Sequence, residues 1–319
     1  MDILPPAHLV PNIVSMTELQ ETPTNALHPA MCGSLLIDKM AQRAATYIHR
    51  ITNLLRSTKK PVLLALSSVK VMQPLRLFFH IGRYVTMLNN AFSRPEKHIM
   101  YYRETIRQMH DIGIGSLPIV FLISIFIGAV AALQFAFQLD GTLVPIYYIG
   151  YIVRDFAIIE ASPTITALVL AGKVGSNMAS EIGGMRQKEH IDAMEIMGVN
   201  TAAYLMMPRI TAALTVIPML VALSAFISIF GGYLAVVPTG WMSDPEYVFG
   251  VRSFFDPYNF RLMFVKAFTF AFILTTVSCY QGYFVKAGSI QLGKASTNAV
   301  VFSDILILLA DYLIAVLLT

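Results

Sequence analysis

Six ionisable side chains stand inside stretches of this chain that are otherwise apolar: Arg154, Asp155, Glu160, Lys266, Asp304 and Asp311. A charge in hydrocarbon is costly, so such residues pair with one another or mark a pathway. Glu160 comes just before Ser162-Pro163, where a proline removes a backbone donor and bends a helix. Asp304 and Asp311 are seven residues apart and so share one helix face, with Lys266 as a candidate partner. For Arg154 and Asp155 the expected role is a structural ion pair; for Glu160 structure and function are equally open. A second constellation, Lys173, Glu181, Arg186, Lys188, Glu189, Asp192 and Glu195, forms a dense polar segment between two long apolar runs. A membrane protein that keeps a charged helix on one face of the bilayer uses it to dock a partner. Metal binding by Glu189, His190 and Asp192 is disfavoured, because near neighbours on a helix point in different directions and the His-x-x-x-His spacing of a zinc helix is absent. The chain has no Gly-x-x-x-x-Gly-Lys-Ser/Thr loop, no Gly-x-Ser-x-Gly elbow and no His-Glu-x-x-His helix. It therefore hydrolyses no nucleotide itself, and neither a cofactor, a metal nor an enzymatic activity is indicated.

The elements that must hold these residues are membrane helices. Of 319 residues 56% are hydrophobic and 13% charged, against about 25% charged in soluble domains. The predicted class is an all-α integral membrane protein. About 20 apolar residues suffice to span a bilayer. By that measure helices are expected near 114–137, 146–172, 210–237, 262–285 and 297–318. Thirteen of the 23 Lys and Arg residues precede residue 112, and four more lie in 173–209. The loops on the other side, 138–148 and 238–261, hold none and two (Arg252 and Arg261). The positive-inside tendency then puts the N-terminus and the charged segment in the cytoplasm. It also accounts for the net charge of +4 without nucleic acid. Trp241, Tyr247, Phe249, Phe254, Phe255 and Tyr258 fit an aromatic belt at the outer interface.

Three parts are expected in all. Residues 1–60 form a partly disordered cytoplasmic extension with no cleaved signal peptide apparent. Residues 61–112 carry amphipathic helices, of which 75–92 suits an interfacial helix in the headgroup plane. Residues 113–319 form the transmembrane domain. Cys32 and Cys279 lie too far apart in sequence, and in settings too different, to support a disulfide framework. From the end of the second expected span onward, Ala167, Ala171, Gly175, Ala179 and Gly183 recur every four residues, with Gly172, Ser176, Ser180 and Gly184 beside them. Small residues at that spacing let another backbone approach closely in lipid, and intramolecular packing and a subunit interface both remain open. From Arg186 to Met197 a short amphipathic helix is expected, with Ile191, Met194 and Met197 on one side and Lys188, Glu189, Asp192 and Glu195 on the other.

Taken together these residues resemble a known family. Glu160-x-x-Pro163, Ala171-Gly172-Lys173-Val174-Gly175, Glu181-Ile182-Gly183-Gly184-Met185, Glu189-x-Ile191-Asp192-Ala193 and Met197-Gly198 are similar to the signature of MlaE-type ABC transporter permeases. The likeness continues through Pro208-Arg209, Pro218, Gly231-Gly232, Lys266, Tyr280-x-Gly282, the run Gly293-Lys294-Ala295-Ser296-Thr297-x-Ala299-Val300-Val301, and Asp311. Upstream it takes in Ser116-Leu117-Pro118, Phe126-x-Gly128 and Leu133-Gln134, so that it covers residues 75–319. Ile159 departs from it where many relatives carry an arginine, His190 replaces a common glutamine, and Lys173 a common arginine. Residues 1–60 match nothing in it.

The resemblance implies the membrane subunit of a system that moves phospholipids with MCE-domain proteins and maintains outer membrane lipid asymmetry. It places the chain in the inner membrane of a diderm bacterium as a homodimer. The 186–197 segment would be a coupling helix seated in a groove of a separate ATPase subunit, which binds the ATP and Mg²⁺. Glu181, Arg186, Glu189, His190, Asp192 and Glu195 are the residues implied for that contact. Gln134, Phe137 and Glu160 are the implied lining of an outward-facing lipid cavity. Two other classes compete with this reading: an ion-coupled secondary transporter with Glu160 or Asp311 as proton relay, and a scaffold without transport.

Overall fold

The structure, a computed structural model, describes residues 78–92, 98–141, 144–286 and 288–318. The expected N-terminal extension and Cys32 lie outside the described residues. Every regular element among the described residues is helical: α1 (78–91), α2 (His98–Leu139), α3 (Tyr148–Gln187), α4 (His190–Ile196), α5 (Thr201–Val236), α6 (Asp244–Arg252), α7 (Pro257–Tyr283) and α8 (Ser289–Leu318). Five of them, α2, α3, α5, α7 and α8, are long and apolar enough to cross a membrane, and the chain is a multi-pass membrane protein.

The spans run further than hydropathy alone indicates. α2 begins 14 residues before its uncharged stretch, and α3 carries on through the polar residues as far as Gln187. Helices do not stop at the bilayer surface when no breaker is present. Where chain direction changes, caps are in place. The Asn200 side chain accepts the Ala203 N–H at 3.2 Å at the start of α5. Asp256 accepts the Tyr258 N–H at 2.9 Å ahead of α7, with Pro257 in the first turn. Both satisfy donors that a helix start leaves open.

α2 and α5 form the closest pair. A Cβ on Gly128 would come within 1.8 Å of the Ser228 carbonyl oxygen, and one on Gly231 within 2.4 Å of the Ile125 carbonyl oxygen. Backbone contact of this kind drives helix association in lipid, where no hydrophobic force separates a helix from its surroundings. A buried hydroxyl cluster crosses the same seam: Ser124 and Ser224 are 2.8 Å apart, and Thr166 donates to Ser224 at 3.0 Å.

The small-residue stripe on α3 packs within the chain. A Cβ on Gly175 would meet Ser278 Oγ at 2.8 Å, and one on Gly183 would meet Leu292 Cδ1 at 2.5 Å. Ala171 and Ala179 are fully buried, and a Cβ on Gly282 would lie 2.7 Å from the Ala179 carbonyl. Of the two openings left by the sequence, this face takes the intramolecular one, against α7 and α8.

At the charged end α1 lies against the bundle with one face. Met87 and Ala91 are buried beside Ile182, Ile191 and Met206, while Phe78, Phe79, Ile81 and Val85 are exposed. His80 Nδ1 meets the Tyr280 hydroxyl at 2.7 Å, Tyr84 donates to Thr276 Oγ1 at 2.7 Å, and the Arg83 guanidinium sits 3.7 Å over the Phe284 ring. Such a helix, apolar on its free side and polar at its docked edge, suits the headgroup plane.

At the aromatic end α6 closes the bundle. Glu246 accepts both the Ser243 backbone N–H at 3.0 Å and its hydroxyl at 2.7 Å. Tyr247 donates to the Ile229 carbonyl at 2.9 Å.

Candidate functional site: a buried lysine triad and a braced helix

Lys266, near the middle of α7, is completely buried. Its Nζ lies 2.8 Å from Glu160 Oε1 on α3 and 2.7 Å from Asp311 Oδ1 on α8. Thr164, one turn beyond Glu160, donates to Asp311 Oδ2 at 3.1 Å. The triad thus ties three spanning helices together around one ammonium and two carboxylates. Glu160 occupies a π-helical segment, Ala157–Ile165, that contains Pro163. Proline cannot donate to the Ile159 carbonyl, and the helix widens there instead of breaking. The widened turn presents Glu160 sideways, with its side chain 45% exposed against 16% for Asp311. Asp304, the other acid on that stretch of α8, makes no contact with Lys266, and its Oδ1 is buried without a hydrogen-bond partner among the described residues. Of the two acids on that face, Asp311 is the one paired with Lys266.

Arg154 makes a different kind of buried site. It donates to Asp155 Oδ1 through Nε and Nη2 at 2.9 and 2.8 Å, and to the carbonyls of Val251, Ser253 and Phe254 at 2.7–3.1 Å. All five donors are used, so Arg154 anchors the α6–α7 connection and has no capacity left for a ligand.

The charged segment divides in two. Arg186 belongs to the last turn of α3, and a break follows in which Glu189 takes a left-handed backbone (φ 58°). α4 is therefore shorter than the 186–197 span expected from the pattern, and Gly198 ends it with φ 81°. Ile191 is fully buried and Met194 half-buried, but Met197 is 70% exposed and does not continue their face.

Several of the charges expected to face a partner are engaged within the chain. Arg186 Nη1 lies 3.0 Å from Asp192 and 3.8 Å from Glu195. Glu195 Oε1 also accepts from Thr201 at 3.2 Å and from Tyr283 at 3.1 Å. Glu181 pairs with the buried Arg209 of α5 at 3.1 Å. Asp192, Glu195, Arg186 and Glu181 thus brace α4 and the end of α3 against α5 and α7. The outward surface left over includes Lys188 and Glu189 before the helix, His190 at its first residue, and Ile196 and Met197 at its end, Ile196 being 87% exposed. Ile196 was missed by sequence reasoning. The signal was present as an apolar residue off the Ile191–Met194 stripe, in a segment otherwise charged.

The residues implied for a lipid cavity are not assembled at one point by a single chain. Phe137 is exposed and packs edge-on to Trp241 with ring centroids 5.0 Å apart, and Gln134 is exposed on α2. Glu160 belongs to the Lys266 triad. No group of three or more His, Cys, Asp or Glu among the described residues could hold a metal ion.

Five spanning helices, three of them joined by a buried ammonium, with a short helix braced outside them at the charged end, define a membrane-embedded subunit. The chain belongs to the permease MlaE family, which matches residues 105–317. It is similar to a probable ABC transporter permease protein of Rickettsia bellii, 33% identical over 245 residues that cover 75% of this chain and 92% of that protein. It is also similar to the intermembrane phospholipid transport system permease protein MlaE of Haemophilus influenzae, 29% identical over 77% of this chain and 94% of that protein. A more distant likeness, 27% over 68% of this chain and 61% of that protein, is to the chloroplastic protein TRIGALACTOSYLDIACYLGLYCEROL 1 of Arabidopsis thaliana.

Proposed function

We propose that this protein is the membrane subunit of an ATP-driven transporter that moves phospholipid between a bacterial inner membrane and a periplasmic assembly of MCE-domain proteins. The observation that carries the reading is α4: a short helix outside the spans, braced by Arg186, Asp192 and Glu195, with Ile196 and Met197 bare at its tip. With the basic end in the cytoplasm, that tip faces a soluble ATPase subunit, which would bind the ATP and Mg²⁺. Glu189 and His190 join it in the contact, and Glu181, Arg186, Asp192 and Glu195 act behind it as struts.

In this account a shift of α4 reaches the spans through its braces. Arg186 passes it to α3, and Glu195 passes it through Thr201 and Tyr283 to α5 and α7. From Gln187 to Glu160, α3 runs about 40 Å at 1.5 Å per residue, so motion at the charged end arrives at the triad. Two copies would enclose the lipid cavity, with Gln134, Phe137 and Glu160 on its wall. Binding of nucleotide by the partner then biases a two-state membrane element without chemistry in this chain.

The Lys266 triad favours one second reading, ion-coupled transport through Glu160 or Asp311. The test is extraction of the native complex followed by mass spectrometry and reconstitution. An ATPase subunit and phospholipid are expected to come with the chain, and transfer of labelled lipid is expected to require ATP. Transfer driven by a proton gradient with no ATPase present would establish the second reading instead.

A further inference from the structure

At the charged end a cavity of about 500 Å³ opens between α2, α3 and α8. Its polar lining includes Asp111, Ser116, Lys173, Asn177, Glu181 and Ser296, and the Glu160 triad has no part in it. Ser116 is completely buried, and its hydroxyl has no hydrogen-bond partner among the described residues. A buried hydroxyl without a partner costs free energy unless something enters to satisfy it. Lys173 uses one of its three N–H groups on the Gly115 carbonyl and keeps two for a ligand. Glu181 is neutralised by Arg209 and takes an amide N–H from Asn177 at 3.3 Å. That leaves one cation, Lys173, and one anion, Asp111, whose neighbour His110 lies 3.4 Å away on the exposed side.

We propose that this cavity binds the headgroup of a zwitterionic aminophospholipid from the leaflet at the charged end. The phosphate would meet the Lys173 ammonium and the Ser116 hydroxyl, and the headgroup amine would meet Asp111. Depth supports a lipid over a soluble ligand. Asp111 ends the charged part of α2 just before the uncharged run 112–139, and Lys173 closes the apolar part of α3. Both therefore stand where hydrocarbon gives way to headgroups. Charge supports a zwitterion over a free phosphate, since Asp111 repels a dianion and gives an amine its counter-charge. Only the headgroup's role as cargo rests on the permease reading; the binding itself does not.

The experiment uses the full chain in nanodiscs of equal phosphatidylethanolamine and phosphatidylglycerol, with a benzophenone amino acid in place of Asn177. After irradiation the lipid adducts are identified by mass spectrometry. Ethanolamine adducts are expected to exceed glycerol adducts by about threefold, the worth of one exposed charge contact. Asp111→Asn in that background should bring the ratio to one. Lys173→Gln should lower both adducts, and Lys173→Arg should restore them. Should the probe at 177 disturb insertion, a diazirine-headgroup phosphatidylethanolamine on the unsubstituted chain gives the same readout as labelled peptides from 105–118 and 171–181. Equal labelling by both lipids that ignores Asp111→Asn and Lys173→Gln would overturn the proposal. So would suppression of the adduct by millimolar inorganic phosphate, which would mark a soluble-anion site. Labelling as expected in a chain that extracts with no ATPase subunit would sink the permease reading and leave this one standing.

Discussion

Lys266 and Arg186 are each held by two carboxylates, yet the two arrangements do opposite work. Lys266 is wholly buried with partners at 2.8 and 2.7 Å, whereas Arg186 is 34% exposed with partners at 3.0 and 3.8 Å. In low dielectric the removal of one partner strands uncompensated charge. At a wet surface the same loss is screened and answered by water. The first arrangement therefore fixes α3, α7 and α8 to one another, and the second ties α4 to the end of α3 more weakly.

The comparison breaks most visibly at Lys266. Lys266→Met leaves Glu160 and Asp311 facing each other, and about 3–5 kcal/mol of stability should be lost, read as a fall in thermal midpoint of the solubilised protein. Adding Glu160→Gln and Asp311→Asn should recover most of it. A silent Lys266→Met would show that the triad is hydrated and equivalent to the Arg186 cluster.

Next in size is the frame itself. Gly128→Ala drives a methyl into the Ser228 backbone, and overpacking of that kind costs about 1–3 kcal/mol. An unchanged midpoint would mean that α2 and α5 separate freely.

Arg186→Gln should cost only about 0.2–1 kcal/mol, and less in high salt. It should nonetheless speed hydrogen exchange across 188–199, where its braces act. A large, salt-independent loss would erase the contrast with Lys266.

The smallest effect is expected at α6. The Ser243 backbone N–H, and then its hydroxyl, hold the Glu246 carboxyl below the usual carboxylate range. With the folded value below the unfolded one, the cap contributes above the ordinary range and is lost as pH falls through the depressed value. Exchange in 244–252 should rise in acid, and Glu246→Gln should remove that pH dependence.

The five spans and the amphipathic α1 were legible from hydropathy and charge, because the cost of charge in lipid acts on each helix separately. Glu160, Lys266 and Asp311 were each visible as intramembrane charges for the same reason. Their meeting was not, since Glu160 and Lys266 are 106 residues apart in the chain and only the packing of α7 between α3 and α8 brings them together. The roles within the charged segment were also hidden. Asp192 and Glu195 read as surface charges on a helical wheel, and only the Glu189 turn shows that they fold back onto Arg186. Ile196 gained its meaning when that fold-back left it bare.

If α4 presents its tip to an ATPase subunit while Arg186, Asp192 and Glu195 brace it from behind, Ile196 carries the contact. The most direct test is retention of that subunit by the natively extracted chain, measured for wild type, Ile196→Asp and Arg186→Gln. Ile196→Asp should lose about nine-tenths of the bound ATPase, the scale of one lost apolar anchor, with no shift in thermal midpoint. Arg186→Gln should keep most of the bound ATPase and slow ATP-dependent lipid transfer. Full retention by Ile196→Asp, or extraction of the wild-type chain with no ATPase subunit, would contradict the account.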